Sequence, residues 1–142
     1  EETLDALRPN RIGHGVRSVE DPRVVERLAN DGVALEVCPG SNVALGVYRE
    51  ADEVPVRTLL RAGIPIALGA DDPLLFGSRL VDQYALARDD LGFSDQELAE
   101  LARGSIRASY APQDIKAAAL GDIDAWLATG PPAGSDAPHP QG

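Results

Sequence analysis

The sequence is poor in the residues that build covalent or metal frameworks. It has one cysteine, Cys38, and two histidines, His14 and His139. A lone thiol cannot form an internal disulfide, and a reducing compartment, the cytoplasm, is the default for such a chain. One Cys and two His cannot close a structural zinc site of Cys and His ligands within these residues. A zinc site that needs a C-x-x-C pair is excluded likewise. Long apolar runs are also missing, and no stretch approaches the roughly 20 residues of a membrane-spanning helix. The opening EETLDALRPN has neither a basic n-region nor an apolar h-region, so it does not read as a signal peptide. Positive charge is scarce: 13 Lys and Arg face 23 Asp and Glu, a net charge of -10. Nucleic acids and anionic membranes reward clustered Lys and Arg, so neither is an expected partner.

What is present fits one soluble globular α/β domain. The 142 residues are 44% hydrophobic and 25% charged. Leu4 to Leu7 reads as the end of a helix, closed by Pro9-Asn10. Arg11 to Gly15 (RIGHG) reads as a brief strand opening into a loop. Asp21-Pro22 is a helix start, an N-cap acid followed by proline, with Val24, Val25, Leu28 and Ala29 as the apolar stripe and Gly32 as the stop. Val33 to Val37 is a strand, and Cys38 to Asn42 (CPGSN) its following loop. Pro55 to Ala62 is a short helix with Gly63 as C-cap, and Ile64 to Leu68 the next strand. Ser78 to Leu91 is helical, with Leu80, Tyr84, Ala87 and Leu91 on one face. Ser94-x-x-Glu97 is a capping box opening a helix to about Ser109. A last helix from Pro112 carries Ile115, Ile123, Trp126 and Leu127, weakened at Gly121. Residues 1–128 form the domain, and 129–142, rich in Pro and Gly, are expected to be disordered.

Strands alternating with helices imply parallel pairing and right-handed crossovers. Three strands are too few for a closed parallel barrel of eight. The chain is either a small open α/β domain or a piece of something larger. In parallel folds chemistry sits at the carboxyl ends of the strands. His14, Ser41-Asn42 and Asp71-Asp72 all fall there.

Asp71-Asp72-Pro73 has two readings. One is helix-entry chemistry, with Asp72 as N-cap. The other is a divergent pair, one carboxylate on a metal and its neighbour accepting hydrogen bonds from a substrate. His14, flanked by glycines, is open to a ligand or is a half-buried side chain bonded to backbone. Glu36 inside its strand needs a partner and reads as half of a structural ion pair. Cys38 reads as packing, and Asn42 as a loop-fixing amide.

The order RIGHG, LEVCPGSN, ALGADDPLLFG resembles the carboxyl-terminal half of the adenosine deaminase family, within the amidohydrolase superfamily. The resemblance runs from about Glu1 to Leu127 and includes LARGSIRASYAP and the IDAWL helix. It implies the carboxyl-terminal portion, about three strands plus closing helices, of a metal-dependent (β/α)8 TIM barrel. Asp71 matches the family's aspartate zinc ligand, which also orients the attacking hydroxide. His14 matches the catalytic histidine that positions and polarises that hydroxide. Asp72 matches the residue that hydrogen-bonds purine N7. The implied reaction is zinc-dependent hydrolytic deamination of a 6-aminopurine, adenosine to inosine and ammonia. Adenine or aminodeoxyfutalosine are the alternative substrates, and a small non-catalytic binding module is the alternative outside enzymes.

The family's H-x-H and H-A-G-E motifs do not occur here. The expectation is therefore a fragment whose partner is the missing amino-terminal half of the same barrel. Alone it is expected to be inactive and prone to self-association through its open sheet edge.

Overall fold

Each strand is followed by a helix that carries the chain back, so the three strands run in one direction. The computed structural model describes residues 2–129. In it β1 (Arg11–Gly13), β2 (Ala34–Val37) and β3 (Ile66–Leu68) form one parallel sheet in the order β1-β2-β3. Ile12, Leu35 and Ile66 lie in one row, and Gly13, Glu36 and Ala67 in the next. Successive side chains point to opposite faces. Leu35, Val37, Ile66 and Leu68 thus share a face and are buried with Leu28, Leu59 and Leu101 from the helices. On the other face Glu36 meets Arg11 at 3.2 Å, the ion pair expected of a carboxylate within a strand.

The helices begin and end where local chemistry says they should. α1 (Glu2–Leu7) precedes β1. Asp21 caps α2 (Pro22–Asp31) by accepting from the Arg23 N–H at 3.0 Å, and Gly32 ends it at φ 65°. α4 (Val56–Arg61) is followed by Gly63 at φ 85°. The Ser94–Glu97 box opens α7 (Asp95–Ala108), and α8 (Gln113–Thr129) packs on α7 without a break at Gly121. α7 also lies against β3, where Gly104 faces the Ile66 carbonyl. A Cβ there would stand 2.3 Å from that oxygen.

Several boundaries differ from the sequence expectation. Cys38 to Asn42 is not a loop: α3 (Pro39–Ala44) begins there, with proline in its first turn. β3 starts at Ile66, because the Ile64 N–H donates to the Leu59 carbonyl and closes α4 instead. A short α5 (Pro73–Phe76) ends at Gly77, φ 63°, and α6 (Leu80–Asp89) follows. Ala87 of α6 is buried, but Leu80 is 49% exposed and does not join that face. Thr129 ends α8; the rest of the expected tail, 130–142, lies outside the described residues. No helix among the described residues is long and apolar enough to cross a membrane.

Candidate active site

The carboxyl ends of β1, β2 and β3 bring His14, α3 and Asp71 to one rim. Two ladder bonds extend the sheet to that point. The His14 N–H donates to the Glu36 carbonyl, and the Gly69 N–H to the Val37 carbonyl, both at 2.9 Å. Beyond them the chain turns sharply. His14 has φ 59° and Asp71 φ 57°, the left-handed region that non-glycine residues seldom enter. Such strain costs on the order of 1–3 kcal/mol per residue and persists where the surroundings over-determine it, often at functional sites.

The turns aim the two side chains at each other. His14 Nε2 is 3.5 Å from Asp71 Oδ2. Together with Gly13, Glu36, Cys38 and Gly69 they line an open cleft of about 370 Å³. The other ring nitrogen, Nδ1, is 3.5 Å from Asn42 Nδ2. Sequence reading had given Asn42 only the loop. Its approach to His14 arises from the strand pairing, and no local pattern announces it. Ser41 is buried, with Oγ donating to the Cys38 carbonyl at 3.2 Å, a purely local bond.

Cys38 lies beneath the cleft. Burial, then the negative charge of Asp71, pushes its thiol above the ordinary cysteine range. Its packing role shows at Gly69, where a Cβ would come within 2.9 Å of the sulfur.

Asp72 turns the other way. Its Oδ1 accepts from the backbone N–H groups of Leu74 and Leu75, each at 3.0 Å, and so caps α5. Oδ2 takes part in neither bond. The two expectations for the acid pair are thus divided between its members: Asp72 is the helix cap, and Asp71 is the carboxylate beside the histidine. His139 lies outside the described residues.

Among the described residues no group of three or more His, Cys, Asp and Glu could hold a metal ion. A carboxylate with an imidazole beside it, at a strand end on an open cleft, suits one ligand's share of a zinc site. A zinc site here would need further ligands from outside these residues.

Parallel strands joined by helices, with polar side chains converging at their carboxyl ends, are the layout of a piece of a (β/α)8 barrel, the fold of the solved deaminases this chain matches. The fold superposes on adenine deaminase from Arthrobacter aurescens with a TM-score of 0.86 and 38% identity, covering 89% of this chain and 39% of that one. Residues 1–126 match the family model described as adenosine deaminase, and the chain belongs to that family. A Streptomyces coelicolor protein named for adenosine/adenine deaminase activity is 60% identical over 87% of this chain and 36% of its own length. The aminodeoxyfutalosine deaminase of the same organism is 42% identical over 90% of this chain and 34% of its own. The chain thus spans about a third of the curated relatives it matches.

Proposed function

We propose that the protein carrying this chain is a zinc-dependent hydrolase of the cytoplasm that removes the amino group of a 6-aminopurine. Adenosine, giving inosine and ammonia, is the first substrate to test. The names of the relatives support adenine and aminodeoxyfutalosine as the alternatives. The observation that carries the reading is Asp71 facing His14 at 3.5 Å, both on left-handed backbone at the carboxyl ends of β1 and β3, across β2. A simple helix-entry turn accounts for Asp72 and leaves Asp71 unexplained.

In this mechanism Asp71 is the metal ligand supplied by this chain. Zinc, when bound, lowers the pKa of a water from its bulk value to about 7 and so supplies a nucleophile at neutral pH. His14, with Nε2 directed to the Asp71 side of the cleft, orients and polarises the attacking water. The water oxygen adds at purine C6, the C6–N bond breaks, ammonia leaves, and a 6-oxopurine remains. Asp72 turns Oδ2 to N7 on the imidazole edge of the purine, where a hydrogen bond requires a proton between the two acceptors, while Oδ1 stays on the helix. Its contribution is orientation. The other metal ligands and the proton-shuttling acid belong to the remainder of the barrel.

The test is ammonia release by the full-length protein from adenosine, adenine and aminodeoxyfutalosine, before and after removal of metal by a chelator. One substrate should be turned over at least about 100-fold faster than the others, with activity lost on chelation and restored by zinc. Release from none of the three, in folded protein supplied with zinc, contradicts the reading.

A further inference from the structure

We propose that Asn42 is a positioning residue for His14, its side-chain amide deciding which imidazole nitrogen carries the proton toward Asp71. The inference rests on the reading of His14 and Asp71 as site residues and gives Asn42, the last residue of the CPGSN motif, a role that the sequence reading did not assign to it. A neutral imidazole has one donor and one acceptor nitrogen. Here each nitrogen faces a different element: Nδ1 faces Asn42 Nδ2 of α3, and Nε2 faces Asp71 Oδ2 after β3, each at 3.5 Å. The amide N–H donates, so Nδ1 must present its lone pair. The proton then sits on Nε2, where it meets a carboxylate oxygen. Turning the amide over would require the proton on Nδ1 and set the Nε2 lone pair against the Asp71 carboxylate. Amide and carboxylate together therefore select one tautomer and hold the ring in one plane.

A second observation separates this role from packing. Asn42 is 3% exposed, and its Oδ1 is buried with no hydrogen-bond partner among the described residues. An unsatisfied buried acceptor is costly, and a leucine of similar size would carry no such group. The α3 backbone does not need the amide. The Asn42 N–H donates to the Cys38 carbonyl, and the Asn42 carbonyl accepts from Val47 and Tyr48. Buried Gln83 further fixes the start of α3 by accepting from the Gly40 N–H at 2.9 Å. What the amide serves is the histidine.

The experiment is nitrogen-15 NMR of His14 in the full-length protein, assigned with His14→Gln, alongside kcat and KM. Wild type should show the Nε2–H tautomer. Asn42→Asp, nearly isosteric, offers only an acceptor to Nδ1 and should move the proton to Nδ1. Asn42→Leu should give mixed tautomers and lower kcat about tenfold with KM within about twofold, since misplaced groups lose rate more than affinity. His14 keeping the Nε2–H tautomer in both variants, or a fall in melting temperature with kcat unchanged, overturns the proposal. Should the wild type deaminate none of the purines, the function proposed above fails, and the NMR spectra still decide whether Asn42 sets the tautomer.

Discussion

Asp71 and Asp72 are adjacent, yet one carboxylate reaches across the rim to His14 and the other folds onto the helix that follows. This division yields a residue-scale prediction. Serine caps nearly as well as aspartate, whereas alanine does not, at a cost of about 1 kcal/mol. Asp72→Ser should therefore leave the melting temperature near wild type and raise KM about tenfold or more, because the hydroxyl is too short to reach the purine. Asp72→Ala should raise KM likewise and lower the melting temperature as well. A serine variant with wild-type KM would confine Asp72 to capping. The cap was legible in the sequence because Asp-Pro chemistry is local. That Asp71 and His14 share a rim followed from the strand-end rule, whereas their direct approach did not, since only the geometry of the paired strands sets it. The Asn42 contact was missed altogether: a turn-like C-P-G-S-N gives no sign that its amide reaches the β1 loop.

Among the elements, those with their own punctuation were readable. Asp21-Pro22 and Gly32 bracket α2, and Ser94 with Glu97 opens α7, as the sequence led one to expect. α3 was hidden because proline, glycine, serine and asparagine favour turns, and a tertiary bond from Gly40 to Gln83 helps hold the helix. The 3.6-residue period placed Ala87 correctly but could not show that Leu80 stands outside the packed face. Of the described glycines, Gly104 of α7 leaves a Cβ the least room, against the Ile66 carbonyl of β3. Gly104→Ala gains helix propensity but drives a methyl into backbone that cannot move aside, so overpacking should win by about 1–3 kcal/mol. Chemical denaturation is expected to show a lower midpoint for this variant, while Gly121→Ala, with open space around the site, should hold or raise it.

At the scale of the molecule, strands alternating with helices were enough to indicate a parallel α/β sheet, but three strands left a small open domain and a piece of something larger equally open, and only the family resemblance pointed to a barrel of eight. How much of the barrel lies beyond these residues was legible only through the motifs absent from the sequence. The alignments agree, spanning about a third of each relative. Large apolar side chains stand exposed beside the rim, Leu74 at 97%, Leu75 at 73% and Val81 at 70%. On the proposed reading, one carboxylate and one imidazole are likewise a share of a site, whose remaining metal ligands the rest of the barrel would supply.

The central claim is that Asp71 holds the metal on which deamination depends. Its most direct test is zinc content and ammonia release, measured on the same preparations of the full-length protein and of Asp71→Ala. Wild type should carry about one zinc per chain and release ammonia from one of the three purines, and the variant, still folded, should lose most of the metal and nearly all the turnover. A variant that keeps both zinc and activity would contradict the account and leave the Asp71–His14 pair as a strained turn.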